Sequence, residues 1–428
     1  MAHTVSTDDV HQHISGVCFK TGPPGKVGAE SEWLVTDPEN PAEPVDLDRL
    51  RALLKDGGPP PAGSGVTYEP GGQLELSSPA LPGPARAHEA LATDLAHVDK
   101  LFAEEGLQVL DSAVDPTRAP VRQLRTPRYT AMERFFAHHR HSSGPVMMCS
   151  TASIQVCLDT GADHDDLTAR WQFLHRLGPV LVAAFANSSV WRGRRTGWKS
   201  TRWAIWAAID STRTRPVPDG AAADPVAAWT DYALAANVMA LPAEPGGEDE
   251  WIAAPGFTLA EWIDGAGPRP LTLGDLDFHL STLFPPVRPR GWWELRMIDA
   301  VPWQWWPVPV ALAAALTDEP GARAIAEEAT ERLSGGPVPT PDLWLRSARS
   351  GLEDPEVAAC ARVCFDAAAE ALPAMESAAL AGLVDDYADQ YVRRGLSPAD
   401  TWPHVPRPRA VPTRGRPQSH SAVRGGTG

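Results

Sequence analysis

Five oxygen-bearing side chains lie on four stretches of this chain that alternate apolar and polar residues. They are Glu30, Glu32, Glu75, Gln155 and Glu294. Because side chains alternate between the two faces of a strand, each stretch predicts a strand with one apolar and one polar face. If the four strands share one sheet, its polar face gathers these carboxylates and the amide. Crowded carboxylates raise one another's pKa unless cations neutralise them.

The elements that must position these side chains are four predicted strands, at residues 26–35, 72–77, 153–159 and 293–298. Gln73 shares the polar face with Glu75, and Arg296 shares it with Glu294. Clusters that offer only oxygen suit Mg²⁺, which binds through carboxylates, water and a substrate phosphate. The pattern favours a sheet-borne site for magnesium and a nucleotide. For each stretch alone, a solvated strand face rich in glutamate is the alternative.

The chief basic segment covers residues 186–206 and carries Arg192, Arg194, Arg195, Lys199 and Arg202. A guanidinium matches carboxylate and phosphate with a fork of donors, so the segment predicts binding of anionic substrates. Surface charge that balances the acids is the alternative. Residues 193–200 resemble a phosphate loop only superficially, because a Walker A motif has four residues between its glycines and a lysine directly after the second. If ATP binds, another scheme must hold it.

Composition excludes several classes of protein. The chain has 428 residues, of which 43% are hydrophobic, and a net charge of −16. This charge argues against nucleic acid or an anionic membrane as the main partner. Five cysteines without a CxxC pair indicate reduced thiols rather than a disulfide framework or zinc site. With no signal-peptide pattern and no apolar run of about 18 residues, we expect a cytoplasmic protein.

Helical periodicity is strongest over residues 85–105, 164–186, 225–240, 308–316 and 355–394, the last broken near Pro373. Strands of antiparallel type interspersed with helices predict an α+β fold. Because the acidic strands run from residue 26 to 298, we expect one catalytic domain over residues 1–402, with a helical C-terminal part from about 308. Residues 403–428 hold five arginines and no acid among many prolines and glycines, and predict a disordered tail.

Several motifs occur together in the order of a known family. They are the segments 28–32, 71–77, 151–156, 186–202, 279–288 and 293–296. On these motifs the chain resembles the plant and bacterial type of glutamate–cysteine ligase, in the superfamily of carboxylate–amine ligases. The resemblance covers residues from about 25 to 305. The composition, rich in alanine, arginine, tryptophan and proline, is similar to that of high-GC actinobacteria, whose family members make γ-glutamylcysteine for ergothioneine.

The resemblance implies a glutamine-synthetase-like catalytic fold, a curved antiparallel sheet with helices on its convex side. ATP and glutamate would bind the concave face with two or three Mg²⁺. The positions that match the family's metal ligands are Glu30, Glu32, Glu75, Gln155 and Glu294. Those implied to act in catalysis are Arg202, Arg296 and Glu294. Those implied to bind substrate or nucleotide are Gln73, Asn187, Arg192, Lys199, Arg202 and Arg296.

The implied reaction joins the γ-carboxylate of glutamate to the amine of L-cysteine through γ-glutamyl phosphate, releasing ADP and phosphate. No protein nucleophile is needed, which agrees with the lack of a convincing Ser–His–Asp or Cys–His set. Two alternatives stay open: a ligase that joins glutamate to another amine, and a non-catalytic protein that binds nucleotide or glutamate. The sequence does not fix the oligomeric state, although a monomer is favoured. The cysteine pair behind thiol regulation in the plant enzymes has no match here.

Overall fold

The strands of the protein are short, and five of the longest lie in one sheet. The computed structural model describes residues 5–139, 142–218, 224–243 and 251–403. Within these residues the strands are β1 (Lys26–Trp33), β2 (Val35–Thr36), β3 (Gly65–Tyr68), β4 (Leu74–Ser77), β5 (Leu81–Pro82), β6 (Gln108–Val109), β7 (Ser153–Leu158), β8 (Val190–Trp191), β9 (Arg194–Arg195), β10 (Ala240–Leu241), β11 (Ile252–Ala253), β12 (Val287–Pro289) and β13 (Trp293–Asp299).

The helices surround this sheet and form most of the C-terminal part. They are α1 (Thr7–Cys18), α2 (Leu47–Asp56), α3 (Gly83–Glu104), α4 (Pro127–His138), α5 (Gly144–Ser150), α6 (His164–Ala184), α7 (Thr201–Ala207), α8 (Ser211–Thr214), α9 (Pro225–Ala235), α10 (Leu259–Glu261), α11 (Leu273–Ser281), α12 (Pro307–Asp318), α13 (Pro320–Ser334), α14 (Pro341–Ser350), α15 (Pro355–Ala371) and α16 (Ala378–Gln390). The predicted helix over 225–240 therefore ends earlier, at Ala235. Among these helices, none is long and apolar enough to cross a membrane.

The central sheet has seven strands, and each neighbouring pair is antiparallel. The order is β12, β13, β7, β1, β4 and β3, with β5 also paired to β1. The register places Glu32 opposite Glu75 on β4 and Glu30 opposite Gln155 on β7. Glu294 on β13 stands opposite Cys157 of β7, which shares the polar face with Gln155. The four predicted acidic strands thus lie side by side, as the alternation of the sequence required.

A β-bulge interrupts the alternation of β13. Leu295 pairs with Val156 and Ile298 pairs with Ile154, so three steps along β13 match two along β7. One extra residue is therefore accommodated between them. Beyond the bulge, Asp299 pairs with Ser153 and takes the polar face of the sheet, whereas strict alternation from Glu294 would turn it towards the core.

The apolar face of the sheet packs against α3, α6 and α12. Ile154, Val156 and Leu295 on this face are fully buried. The Trp293 ring, also on this side, lies 5.3 Å from Trp171 of α6 between ring centroids. Burial of this face, at roughly 25 cal/mol per Å² of apolar surface, holds the sheet against the helices and leaves its polar face towards the cleft.

The C-terminal helices extend the same core. Helix α12 contacts α3, α13, α15 and α16. Helix α15 begins at Pro355, the predicted start, and Asp354 is its N-cap. The predicted break near Pro373 is also present, between α15 and α16. The α+β prediction is confirmed. The predicted tail over 403–428 lies, apart from Pro403, outside the described residues.

Candidate active site

Three carboxylates meet on the polar face of the sheet. Glu32, Glu69 and Glu75 each offer an oxygen, and these oxygens lie within 4.8 Å of one another. The Glu32 carboxylate accepts hydrogen bonds from the Ser153 amide N–H and from Gln155 Nε2, both at 2.9 Å. Burial, with the nearby Glu75 charge, raises the pKa of Glu32 above its usual range. We name Glu32, Glu69 and Glu75 the carboxylate cluster.

Glu69 was not predicted from the sequence, because it lies in the turn between β3 and β4 rather than on a strand. The turn is closed by a hydrogen bond from the Gly72 amide N–H to the Glu69 carbonyl, 2.8 Å long. Pro70 occupies its second position, a favoured place for proline. A Cβ on Gly71 would lie 2.3 Å from the Cys149 carbonyl oxygen, so only glycine fits there. The Glu-Pro-Gly-Gly run was the available signal for this residue.

Glu30 lies beside the carboxylate cluster and completes the acidic part of the site. Burial raises the pKa of Glu30 to about 7, with contributions from Glu294 and Glu75. Partial burial, with Glu32 and Glu75, raises the pKa of Glu69 to about 8. Glu75 accepts a hydrogen bond from Thr67 Oγ1 at 2.6 Å. Protons or cations are therefore needed to relieve the repulsion between these carboxylates.

Glu294 lies in a different environment, among arginines. Its carboxylate accepts hydrogen bonds from Arg288 Nε at 2.5 Å and from Arg288 Nη2 at 3.0 Å. Arg296 Nη1 lies 3.2 Å and Arg290 Nη1 3.6 Å from the same carboxylate. Burial alone would raise the pKa of Glu294, but Arg288 and then Arg296 hold it at about 2. In this arrangement both Glu294 oxygens are occupied by arginine donors.

Two arginines link the acidic strands to the basic segment. Arg296 Nη1 donates a hydrogen bond to Gln155 Oε1, whose amide in turn donates to Glu32. Arg202, at the start of α7, donates from Nη2 to the Arg296 carbonyl at 2.9 Å. Both guanidinium groups lie within 6 Å of the Trp206 ring centroid. Both guanidinium groups therefore make cation–π contacts with the Trp206 ring.

Carboxylates and arginines together line a cleft of about 300 Å³, a size that suits a small-molecule ligand. Its lining includes all residues of the carboxylate cluster together with Glu30, Gln73, Gln155, Arg202, Arg288, Arg290 and Arg296. Sequence reasoning assigned no role to Glu69 or to several other polar residues of this lining, among them Arg128, Tyr129, Ser281, Arg288 and Arg290. Arg288 had a signal, since it stands directly opposite Glu294 on the neighbouring strand β12.

Three residues predicted to bind substrate, Asn187, Lys199 and Arg192, do not line the cleft. The Asn187 amide donates to the carbonyls of Asp111 and Ala300. The Lys199 ammonium pairs with Glu353 at 2.6 Å and with Asp400. Their roles in binding remain predictions.

Arg192 is exposed in the β8–β9 turn, where its guanidinium lies 5.0 Å from the centroid of the Trp191 ring. This turn projects from the basic segment. By contrast, Gln73 does line the cleft, and its amide donates to the Thr151 carbonyl at 2.9 Å. Of the predicted binding residues, the structure therefore brings Gln73, Arg202 and Arg296 together.

The carboxylate cluster fits a hard divalent cation. Its donors are all oxygens, the set that Mg²⁺ and Ca²⁺ prefer over softer metals. Burial, and then repulsion between the carboxylates, raises the pKa values of Glu32 and Glu69, and a bound cation would offset both effects. Gln155 and Glu294, also predicted as ligands, present their oxygens to Arg296 and Arg288 in this structure.

Comparison with known proteins decides the family. The pattern described as Glutamate-cysteine ligase family 2 (GCS2) matches residues 26–405. The chain belongs to this family. It is 39% identical over 410 residues to the glutamate–cysteine ligase EgtA of Mycolicibacterium smegmatis, covering 92% of this chain and 94% of that protein. Identity to the EgtA of Mycobacterium tuberculosis is 38% over 393 residues, covering 91% and 88%.

Family membership confirms the resemblance drawn from the motifs, and the prediction that the chain is an enzyme of the ligase class. The family match begins at Lys26, the first residue of β1, and includes every residue of the carboxylate cluster. Among solved structures, a glutamate–cysteine ligase of Francisella tularensis in complex with AMP aligns with 89% of this chain and 84% of its own, at a TM-score of 0.48 and 11% identity.

Proposed function

We propose that this family member uses ATP and Mg²⁺ to join the γ-carboxylate of L-glutamate to the amine of L-cysteine. A γ-carboxylate oxygen attacks the γ-phosphorus of ATP, the bond to ADP breaks, and γ-glutamyl phosphate forms. The unprotonated cysteine amine then attacks the acyl carbon and phosphate leaves. The products are γ-glutamylcysteine, ADP and phosphate.

The observation that carries this proposal is that carboxylates and guanidinium groups line one cleft. The carboxylate cluster, Arg202 and Arg296 are all part of its lining. Phosphoryl transfer spreads negative charge over the phosphate oxygens, and its catalysis depends on positioning and on cations near those oxygens. A site with a cation-binding cluster beside guanidinium groups suits this chemistry better than hydrolysis by a protein nucleophile.

The chain's own residues have distinct proposed roles. Glu32, Glu69 and Glu75, with Glu30 beside them, would hold Mg²⁺, which neutralises phosphate charge when bound. Arg202 donates towards the transferred phosphoryl group or the substrate carboxylate, since only part of its fork is used within the protein. Family resemblance also gives Gln155 and Glu294 as ligands, and they would have to exchange an arginine partner for the metal.

Cysteine as acceptor and ergothioneine as the purpose rest on similarity to the EgtA proteins. The cleft offers a compatible surface for a thiol side chain, with Met132, Met147 and Met148 in its lining. We further propose one catalytic domain over residues 1–402, a cytoplasmic location and a monomeric state. A single transition in thermal unfolding and the mass in solution would test the domain and the monomer.

The first experiment measures ADP release by the purified protein with Mg²⁺, ATP and glutamate, with and without cysteine, together with mass detection of γ-glutamylcysteine. We expect cysteine-dependent ADP and an equal amount of dipeptide. Glu32→Gln should lose the reaction. Glu39→Gln, an exposed loop carboxylate, serves as the matched control and should keep it.

The other outcomes separate the alternatives. ADP formed with glutamate but without dipeptide would overturn cysteine as acceptor and keep the ligase, and a screen of amines would follow. No ADP under any condition would overturn the enzymatic proposal in favour of a binding protein.

A further inference from the structure

Asp299 is a buried carboxylate on which several parts of the site converge. It is 2% exposed, at the end of β13. One of its oxygens accepts hydrogen bonds from the backbone N–H of Asn187 at 2.9 Å and from Ser188 Oγ at 2.7 Å. The other accepts from Ser200 Oγ at 2.9 Å and lies 3.7 Å from Arg202 Nη1. Three donors and one cation therefore surround it.

Ser188 and Ser200 link the Asp299 carboxylate to backbone N–H groups in the first turn of helix α7. Because Ser188 and Ser200 donate their hydroxyl hydrogens to Asp299, their oxygens are left to accept from the backbone. Ser188 Oγ accepts from the Arg202 amide N–H at 3.1 Å. Ser200 Oγ accepts from the Trp203 amide N–H at 3.1 Å and is the N-cap of α7. Asp299 thus fixes both the backbone and the guanidinium of Arg202.

Arg202 keeps donors that the protein leaves unused. Its Nη2 donates to the Arg296 carbonyl, and its Nε has no hydrogen-bond partner among the described residues. The residue is 3% exposed and lines the cleft. A guanidinium so enclosed can adopt few orientations, and the ion pair with Asp299 selects one of them.

We propose that Asp299 is a positioning residue that fixes the orientation in which the Arg202 guanidinium lines the cleft. Asp299 itself is not part of the cleft lining, so it acts on a substrate only through Arg202. This inference rests on the proposed function for the role of Arg202 in catalysis. The orientation of Arg202 itself does not depend on that function.

The test is a double-mutant cycle with Asp299→Asn and Arg202→Gln, read as kcat/KM for glutamate-dependent ADP formation. A misplacement of about 1 Å lowers rates by roughly 100-fold, so we expect a loss of that size for Asp299→Asn. If Asp299 acts through Arg202, the double variant is no slower than Arg202→Gln alone, within about threefold. Losses that multiply would overturn the inference.

Asp318 offers a matched control outside the cleft. It is a half-buried carboxylate at the end of α12 that accepts a hydrogen bond from Arg170 of α6 at 2.6 Å. Asp318→Asn should lower the melting temperature as Asp299→Asn does, yet keep kcat/KM within about threefold. An equal kinetic loss in both variants would mean that Asp299 acts only on the fold.

Kinetics of Ser188→Ala and crystal structures of the variants test the same inference in two other ways. If Asp299→Asn does not fold, Ser188→Ala breaks the link between Asp299 and the Arg202 amide. It should show a smaller loss that is also absent in the Arg202→Gln background, and multiplied losses would again overturn the inference. If the wild-type protein forms no ADP, the proposed function fails, and crystal structures decide instead. A displaced Arg202 guanidinium in the Ser188→Ala or Asp299→Asn protein supports the inference, and an unmoved one overturns it.

Discussion

The two ends of this site hold glutamates in opposite electrostatic states: Glu30 and the carboxylate cluster line the cleft at one end, and Glu294 lies beneath the arginines, outside the lining, at the other. At one end, burial and neighbouring acids raise the pKa of Glu30 to about 7 and of Glu69 to about 8. At the other end, Arg288 and Arg296 outweigh burial and hold the pKa of Glu294 at about 2. Glu30 and Glu294 are separated by a single strand, β7.

The difference shows that the partners of a buried carboxylate decide its charge, rather than burial alone. The carboxylate cluster repels itself and is completed by a cation or by protons. The Glu294 end is already neutralised by the protein's own arginines. The net charge of the carboxylate cluster therefore changes when a cation binds, whereas the charge at the Glu294 end stays the same.

The largest effect should come from Glu32→Gln or Glu75→Gln. Loss of a cluster carboxylate should lower ligase turnover by about 1,000-fold or more, since charge stabilisation is usually the largest contribution to catalysis. Stability of the metal-free protein should be kept, because the substitution relieves repulsion. Turnover in an ADP assay and melting in EDTA would measure both. A variant with near-normal turnover would contradict the assignment of the cluster.

Glu294→Gln should instead destabilise the fold. The amide leaves Arg288 and Arg296 buried without their counter-charge, and breaking a buried pair in this way costs about 3–5 kcal/mol. Urea unfolding in EDTA gives the free energy of unfolding. Glu30→Gln is the control from the other end and should lose less than about 1 kcal/mol. Equal losses at both ends would break the comparison.

The metal-free protein should lose stability as the pH rises from 6.5 to 8.5. Glu30 and Glu69 have folded-state pKa values above the ordinary 4.5, so the folded form binds protons that the unfolded form has lost. The slope is on the order of 1 kcal/mol per pH unit while a group titrates. Glu294 loses its contribution only in acid, below 4.5. The buried His175 and His279 have folded-state pKa values of about 4 against 6.5 when unfolded, so they add stability as the pH rises through 6.5, and this opposing contribution is complete by about pH 7.5.

Melting temperatures across this pH range in EDTA, and again in excess Mg²⁺, would measure the effect. Mg²⁺ competes with protons for the cluster, so its stabilisation should be larger at pH 8.5 than at pH 6.5. Glu69→Gln should flatten the EDTA curve. A stability that rises with pH in the wild-type protein would contradict the raised pKa values.

The smallest effects are expected in the basic segment outside the cleft. Arg192→Ala should change KM by less than about twofold, because this exposed side chain does not reach the lining. Lys199→Ala should lower stability by about 1 kcal/mol through loss of its contacts with Glu353 and Asp400. The sequence-based prediction that both residues bind substrate expects a large rise in KM, so steady-state kinetics decides between the two.

Alternation of side chains predicted the sheet well. Glu30, Glu32 and Glu75 lie on one face, because a period of two follows from the strand backbone and needs no knowledge of the fold. Arg202 lines the cleft, whereas Arg192 and Lys199 do not, and the binding roles of all three stay predictions. A basic segment of 21 residues contains a hairpin and a helix start, and sequence alone does not say which side chains turn inward.

Two residues lay beyond the reach of periodicity. Glu69 reaches the cluster from a turn, where no repeat exists to assign a face. Asp299 follows a bulge, so counting from Glu294 assigns it to the wrong face. Both depend on contacts between distant segments, which one sequence does not record.

The bulge in β13 makes the length of this segment as important as its composition. Glu294 and Asp299 are five positions apart, an odd spacing that a regular strand would divide between opposite faces. Removing one residue together with the bulge would leave an even spacing of four and keep Asp299 opposite Ser153 on the polar face. Pairing all five positions in a regular strand would instead turn the Asp299 carboxylate towards the helices and release Arg202. The bulge and the number of residues therefore decide together which face Asp299 takes, so a change in one is tolerated only with a matching change in the other.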